Sequence, residues 1–581
     1  MRPNKAKSQS TSLQAVKGRL GWIATVLSIF GLIIAGRLVQ LQILQHDQLT
    51  AHSDKQYLRT VEIATGRGDI YDRNRNQLAT NIQVESVYAD PKSVIDKTAT
   101  ARILAGALGL NPKKVLKKLK ADRNFVWIKR KCELDAVEKL KQLDLVGVGF
   151  VAETKRYYPK RTLAASTVGF VGLDNQGLAG IEQYHQAVLK GAPQRSVLEK
   201  DARGRFLWTS ADAHELNQGK RDVVLTLDEV IQYTAERELK RQVKEYNAKS
   251  GLAIVMDPFS GEIYALASAP EFNPNNYAAY PQSIWRNDAV ASAYEPGSIF
   301  KPIVAAATLE EGLAGPEDIF FCENGSFAIG KARIGEAANH QFGWLSLRNI
   351  IAKSSNIGAI KIAQALGEKR FFRYMRQFGF GGKLDIDLPG EATGTLRNLD
   401  DWSGLSLASM SFGHEVSVTP IQMVAALSVI ANGGILVQPH VTQALLNNGA
   451  IETTIRPKGI ATVLSEETSR QMINILKSVV KTGTGAKAAI PGFEVAGKTG
   501  TAQKIDPDTQ SYSKTKYLAS FIGFVPADAP RLVILVMIDE PEKSYWGGDV
   551  AAPVFQKIAR KTLRYLNIPS SLDRVFILDR A

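Results

Sequence analysis

Cysteine and histidine are scarce in this chain of 581 residues, and their scarcity limits the chemistry that it can carry. Cys132 and Cys322 are the only cysteines, and the seven histidines are scattered along the sequence. No CxxC motif and no Cys/His cluster with metal-ligand spacing occurs, so we expect no structural or catalytic metal and no cofactor. Two distant cysteines do not form a disulfide framework either.

The sequence also lacks low-complexity tracts and repeats with a solenoid period. Its length is too great for one compact core, so two or more domains are expected. The formal net charge of +15 suggests an anionic neighbour, either nucleic acid or a membrane surface. No nucleic-acid motif is present, so we expect a membrane and no nucleic acid. The lysines around Val115 and Leu119 have the spacing of a solvated helix face.

Acidic residues are absent from the N-terminus, where basic residues precede an uncharged apolar run from Leu20 to Gly36. At about 1.5 Å per residue, this run spans roughly 25 Å as a helix, near the lower limit for crossing a bilayer. A cleaved signal peptide is the alternative, but the apolar character continues beyond Arg37. We predict a cytoplasmic tail at 1–19 and a signal-anchor helix at 20–42, with the rest of the chain exported.

The exported part is predicted to contain two domains. Residues 43–219 alternate between strands, glycine turns and charged helices, and residues 97–145 are predicted to be helical. This first domain is therefore a mixed α/β module, and it contains no group of residues that suggests catalysis or ligand binding. From Asp222 onwards, long helices alternate with hydrophobic strands, which favours helical layers on an antiparallel sheet. The second domain is placed at 220–566, followed by a tail at 567–581, so the fold class is multidomain α/β (α+β).

The second domain contains a serine and a lysine with the spacing SxxK. Ser298 and Lys301 lie at the start of an apolar helix that stops at Gly312. On a helix, residues three apart share a face, so the lysine amine could activate the serine hydroxyl if its pKa is lowered. The motif is common by chance, and it carries weight only together with others.

Two further elements follow in the sequence. Ser354 and Asn356 form an SxN motif, in which the serine could relay a proton and the carboxamide could hold a peptide. The third element would be a lysine followed by hydroxyl residues at a strand edge, where an extended peptide can pair.

The tetrapeptide KTGT occurs twice, at Lys481 and at Lys498, and the flanking residues separate the copies. The first copy follows an amphipathic pattern with Ser465 as a plausible N-cap, which predicts that Lys481 closes a helix. The second follows a short strand-like run, so we predict Lys498 as the site lysine. On that strand, Thr499 and Thr501 would share one face.

In this order and context, SxxK, SxN and KTG resemble the class B penicillin-binding proteins, most closely their division-specific branch. The resemblance covers nearly the whole chain and includes "RGDIYDRNRNQLA", "GLAGIEQYHQAVLKG" and "GGDVAAPVFQKIA". Arg75 departs from the family, which usually has glycine after Asp-Arg-Asn, so an altered turn is expected there. Nothing in the sequence resembles the glycosyltransferase domain of class A enzymes.

The resemblance implies a penicillin-recognising serine transpeptidase fold on an α/β pedestal, anchored in the inner membrane by one helix. Ser298 would attack the penultimate D-Ala of a stem peptide, or a β-lactam, with Lys301 as its base. Ser354 would relay the proton with help from Lys498. Asn356, Thr499, Gly500 and Thr501 would bind the donor peptide. An FtsW-type membrane glycan polymerase and other division proteins are the implied partners.

Other functions share part of this pattern. An elongation-type transpeptidase, a D,D-carboxypeptidase and a β-lactamase use the same motifs, although soluble β-lactamases lack the pedestal. An envelope scaffold or β-lactam sensor is the non-enzymatic alternative. The intact motif residues argue against an inactive scaffold, and a single apolar helix argues against a sensor.

Overall fold

The computed structural model describes residues 10–50, 58–63, 66–190, 194–200, 206–207, 220–506, 509 and 511–570. These residues fall into two units. One is drawn from residues 1–65 and 193–218, and the other from residues 66–192 and 219–581. The two units are described separately below, and the domain bounds from the sequence stay predictions.

The first unit contains the apolar N-terminal segment. A helix covers Ser10–Val39 and is followed by a π-helical turn at Gln40–Leu44. Within the described residues, Val16–Leu44 is the one helical stretch long and apolar enough to cross a membrane, and the predicted span 20–42 lies inside it. The unit also has an antiparallel three-stranded sheet, whose strands in order are Leu58–Ile63, Gln194–Lys200 and Phe206–Leu207.

The second unit begins with a mixed α/β part, as the sequence predicted. Its helices are Lys97–Leu108, Pro112–Leu119, Leu134–Gln142, Ala165–Val168, Gly180–Tyr184 and Gln186–Lys190. Its strands are Ile70–Tyr71, Gln77–Ala89, Val126–Cys132 and Val148–Tyr157. Three strands from later in the chain, Asp222–Leu225, Thr442–Asn447 and Ala450–Thr454, complete a seven-stranded sheet. The sheet therefore joins segments that the sequence assigned to different domains.

One part of the pedestal prediction is wrong. Residues 97–145 were expected to be helical, yet Val126–Cys132 is a strand that pairs with Gln77–Ala89. Three consecutive basic residues interrupt the alternation of this strand, and two of their charged ends are held inside the domain: Lys129 Nζ donates to the carbonyl of Leu108, and Lys131 Nζ donates to Asn175 Oδ1. Cys132 ends the strand as a buried free thiol, and Cys322 is also buried and free.

A buried charge network, which the sequence analysis missed, holds the pedestal strands to a following helix. The guanidinium of Arg67 lies 2.8 Å from one carboxylate oxygen of Glu182, and that of Arg156 lies 2.6 Å from the other. Tyr158 also donates to this carboxylate, at 3.2 Å. Glu182 therefore holds the backbone segment that begins at Arg67 against its own helix, because its one buried carboxylate pairs with two buried guanidinium groups.

The turn at Arg75 keeps the geometry that glycine favours. Arg75 has φ of 66°, in the left-handed region, and its N–H donates to the carbonyl of Asp72 at 3.1 Å. The arginine itself adopts the left-handed conformation that favours glycine, and the expected alteration relative to the family stays a prediction. The side chain of Asp72 supports the turn by accepting bonds from the backbone N–H groups of Asn74 and Asn76.

The rest of the second unit is built on a five-stranded antiparallel sheet, as predicted. Its strands, in spatial order, are Ile263–Ala269, Ser250–Met256, Leu532–Asp539, Tyr512–Val525 and Ala496–Ile505. Each neighbouring pair is antiparallel. Ala496–Ile505 is thus the last strand in the described order, and we refer to it as the edge strand.

Helices cover both faces of this sheet. Successive residues of a strand point to opposite faces, so they pack against different helices. Val255 packs with the helices Glu229–Glu245 and Ala552–Tyr565 on one face. Ile254 belongs to the larger core on the other face. The helices of that second layer are Lys301–Glu310, Leu347–Lys353, Asn356–Leu366, Glu368–Gln377, Ser406–Ser411, Pro420–Ala431 and Glu466–Lys481.

Short elements complete the unit. Three strand pairs are Ile319–Phe321 with Trp344–Ser346, Ser326–Ile329 with Ala332–Gly335, and Ile435–Val437 with Gly459–Thr462. The short helices Asp288–Ala291 and Gly547–Val550 precede longer elements. The second of these strand pairs, Ser326–Gly335, is called the hairpin below, because its end reaches the candidate site.

Candidate active site

Ser298 and Lys301 lie at the junction of a tight turn and a buried helix. Gly297–Phe300 forms a 3₁₀ turn, and the α-helix begins at Lys301, so the serine precedes the α-helix predicted to carry it. The two residues still share a face, since residues three apart eclipse in a 3₁₀ turn. Gly297 starts the turn with φ of 58°, and a Cβ there would lie 3.1 Å from that of Ala502 on the edge strand. The turn is thereby packed directly onto the edge strand.

Ser354 lies between two helices and takes a left-handed backbone conformation, with φ of 62°. Such a conformation is costly for a serine, and it is maintained where the surrounding structure fixes it. The next residue, Ser355, caps the helix Asn356–Leu366 by accepting a bond from the Gly358 N–H at 2.9 Å. This cap and the left-handed backbone of Ser354 together direct the Ser354 side chain towards the two lysines of the site.

Two buried lysines meet at the Ser354 hydroxyl. Lys498 Nζ lies 2.8 Å from Ser354 Oγ, and Lys301 Nζ lies 3.3 Å from the same atom. Lys301 also donates to the Ser354 carbonyl at 2.6 Å and to Asn356 Oδ1 at 2.8 Å. Neither lysine is exposed to solvent. The three sequence motifs therefore converge through direct contacts, although they are far apart in the chain.

A cavity of about 300 Å³ opens in front of these lysines. Ser298, Ser354, Thr499 and Thr501 line it together, whereas the buried Lys301 and Lys498 and the half-buried Asn356 are not part of its lining. Gly500 packs beneath the wall, because a Cβ there would lie 2.9 Å from Ile299 Cγ2. The cavity thus presents one candidate nucleophile and a row of hydroxyl groups along a strand edge.

The two KTGT copies differ as predicted, with one addition. Lys481 is the last residue of the helix Glu466–Lys481, and its exposed amine lies 2.9 Å from Glu494 Oε2. Lys498 is buried in the edge strand. The first copy is nevertheless not remote from the site, because Thr484 lines the cavity and its hydroxyl lies 2.6 Å from that of Thr499.

Burial tunes the two lysines towards proton transfer. Desolvation lowers the pKa of Lys301 to about 7, and the nearby carboxylate of Glu336 partly opposes this change. Desolvation also lowers the pKa of Lys498 well below its usual value, with a further contribution from the charge of Lys301. At neutral pH a substantial fraction of Lys301 is therefore a free amine, the form that can accept a proton from a serine.

The sequence analysis missed several residues of this site. Glu336, Phe342, Thr484 and Trp546 all line the cavity, and none belongs to a motif element that was recognised as functional. Gly547, part of a block already noted for its resemblance, donates its N–H to Thr501 Oγ1 at 3.1 Å. Long-range packing brings these residues together, so local patterns gave no signal for them.

A cavity lined by one candidate nucleophilic serine and by a second serine that contacts two buried lysines, at the edge of an antiparallel sheet, is typical of the serine acyl-transfer enzymes that react with penicillin. Two domain families match this chain. The penicillin binding protein transpeptidase domain matches residues 251–560, and the penicillin-binding protein dimerisation domain matches residues 62–225.

Individual proteins are similar over nearly the full length. Stage V sporulation protein D of Bacillus subtilis is 36% identical, with 96% of this chain and 88% of that protein covered. Peptidoglycan D,D-transpeptidase FtsI of Escherichia coli is 30% identical, with 97% and 94% covered. The crystal structure of penicillin binding protein 3 from Mycobacterium tuberculosis with aztreonam has a TM-score of 0.68 at 28% identity, with 88% and 98% covered. The chain belongs to the class B penicillin-binding proteins.

Proposed function

We propose that this protein is a peptidoglycan D,D-transpeptidase that cross-links stem peptides through a serine acyl-enzyme and is acylated by β-lactams. The convergence of Lys301 and Lys498 on Ser354 Oγ, beside a cavity lined by Ser298, is the observation that carries this proposal. A relative named as a D,D-transpeptidase is similar over 97% of the chain and supports the same function.

In the proposed reaction, Ser298 Oγ attacks the carbonyl carbon of the penultimate D-Ala. Lys301 accepts the serine proton, and the peptide bond breaks to release the terminal D-Ala. Ser354, with Lys498 behind it, delivers a proton to the leaving amine. An amine of a second stem then attacks the ester and loses a proton to Ser354, while Lys301 returns its proton to Ser298 Oγ as the ester bond breaks, which forms the cross-link and restores the enzyme.

The edge strand is suited to hold the donor peptide, since an unpaired strand edge offers N–H and C=O groups to an extended chain. In the proposed complex, Thr499 and Thr501 bind the terminal carboxylate, and Gly500 keeps the strand close to the nucleophile turn. Asn356 binds the peptide backbone. The N–H groups of Ser298 and Thr501 stabilise the oxyanion.

We further propose a septal role in cell division, with an FtsW-type glycan polymerase and other division proteins as partners. The similarity to FtsI supports division. The similarity to a sporulation protein keeps other class B roles, including elongation, as alternatives. The proposed topology has residues 1–19 in the cytoplasm, an anchor at 20–42 in the inner membrane, and a pedestal (43–219) and transpeptidase domain (220–566) outside.

Acylation is expected to depend on pH through Lys301. Below about pH 7, the pKa of Lys301, the amine is protonated and cannot accept the serine proton. The second-order rate of acylation should therefore fall by up to about tenfold per pH unit on the acidic side and level off above the pKa. Stopped-flow labelling with a fluorescent penicillin checks this profile. A flat profile from about pH 5 to about pH 9 would contradict the role of Lys301 as the base.

Cross-linking and hydrolysis are distinguished by their products. With a donor pentapeptide stem and an acceptor stem that carries a free amine, we expect mass spectrometry to detect a cross-linked dimer and released D-Ala. A carboxypeptidase would instead give the trimmed donor without a dimer. The Ser298→Ala variant serves as the control and should give neither product.

A further inference from the structure

Glu336 contacts the SxN motif from a neighbouring segment, directly after the hairpin Ser326–Gly335. One of its carboxylate oxygens accepts a bond from the Asn356 N–H at 2.6 Å. The other accepts from the Ser355 hydroxyl and, at 3.3 Å, from the Ile357 N–H. The residue is 8% exposed and lines the same cavity as Ser298. A nearly buried carboxylate thus caps the start of the helix that carries Asn356.

The same segment also fixes the side chain of Asn356. The carbonyl of Gly335 accepts a bond from Asn356 Nδ2 at 3.1 Å, which leaves Oδ1 directed at Lys301 Nζ, 2.8 Å away. Since the amide nitrogen is held by one partner, the amide oxygen has a defined direction. Gly335 therefore determines which atom of Asn356 faces the lysine, while Glu336 holds the Asn356 backbone at the start of the helix.

The charge of Glu336 acts on Lys301 as well. In the part of the chain that the structure describes, three charged or titratable side chains interact with this amine: Glu336 beside the hairpin, Lys498 on the edge strand and His414 near the helix Ser406–Ser411. Desolvation, with a further contribution from Lys301, lowers the pKa of His414 to about 4, so His414 stays neutral near pH 7. Glu336 is the one of the three that favours the protonated amine.

We propose that Glu336 is a positioning residue for acyl transfer, which orients Asn356 and supplies the negative charge that faces Lys301. The role rests on the proposed function, because it assumes that Lys301 activates Ser298. Glu336 itself does not touch the reacting atoms. Its effect passes through Asn356 and through the proton affinity of the lysine.

The charge and the geometry can be tested separately in the full-length protein with fluorescent penicillin as the probe. Glu336→Gln removes the charge, so the pKa of Lys301 falls. The acidic limb of the pH profile of the acylation rate should then move to lower pH by about half a unit or more. The plateau rate should drop by about tenfold, since a supporting hydrogen bond becomes weaker. Glu336→Asp keeps the charge but shortens the reach, so the rate should fall while the limb stays in place.

Glu323→Gln is the matched control, because Glu323 contacts the same helix through Lys361 Nζ at 2.8 Å and not through Asn356. It should leave both the rate and the limb unchanged. An unmoved limb in Glu336→Gln, or a wild-type rate in Glu336→Asp, would overturn the role of Glu336. If Glu336→Gln does not fold, the Asp variant carries the test alone. Parallel labelling of Ser298→Ala keeps the two proposals apart, because a retained label there contradicts the proposed function itself.

Discussion

Fluorescent penicillin is expected to label the wild-type protein covalently and to leave the Ser298→Ala variant unlabelled. Ser298 is the serine that lines the cavity at the start of the buried helix, beside Ser354, Thr499 and Thr501. Without its oxygen no ester can form, so acylation should decrease by a factor on the order of 10⁴ or more. In-gel fluorescence and intact-protein mass measure this loss directly.

The variant should remain folded, because alanine removes a single hydroxyl from the one half-buried residue of the turn. We expect its free energy of unfolding to change by less than about 1 kcal/mol. Ser292→Ala is a matched control, since the Ser292 hydroxyl donates to Asp288 at 2.6 Å and lies outside the cavity wall. Full labelling of Ser292→Ala together with loss of label in Ser298→Ala would identify the nucleophile. Retained label in Ser298→Ala would reject the assignment.

Local signals were sufficient to predict much of the catalytic layer. Asp228 caps the helix Glu229–Glu245, and the strands Ser250–Met256 and Ile263–Ala269, which follow each other in the chain, pair as antiparallel neighbours. Helix caps and uninterrupted apolar strands depend on residues that are close together in the chain, so they can be recognised from a short stretch of sequence. The strand Val126–Cys132 was missed because basic residues interrupt its alternation.

Features that depend on distant parts of the chain could not be predicted in this way. The strand Asp222–Leu225 pairs in parallel with Ile70–Tyr71 and antiparallel with Thr442–Asn447, which joins three distant segments in one sheet. Glu336 and Thr484 reach the site by the same kind of packing. Ser298, Lys301, Ser354 and Lys498 could be named from the sequence because their motifs occur in a recognisable order, and the structure brings them together around one cavity wall.

Replacing Lys498 should slow acylation strongly and replacing Lys481 should leave it nearly unchanged, although both lysines begin a KTGT tetrapeptide. Lys498→Ala removes the amine 2.8 Å from Ser354 Oγ, and we expect acylation to slow by about 10²-fold or more. Lys481→Ala removes an exposed amine that pairs with Glu494 at the surface. Such pairs contribute at most about 1 kcal/mol to stability, and the rate of acylation should stay within about twofold of wild type.

The buried position of Lys498 requires a second variant, because alanine also leaves a cavity there. Lys498→Met fills nearly the same volume without an amine. This variant should therefore fold well, and its acylation should be as slow as that of the alanine variant. Thermal melting of all three variants separates lost stability from lost proton transfer. Equal losses of acylation in Lys481→Ala and Lys498→Met would contradict the distinction between the copies. A selective loss in Lys498→Met would show that the lysine of the tetrapeptide supports acylation only where the edge strand buries it. The first copy still contacts the site through the Thr484 hydroxyl, which bonds to Thr499.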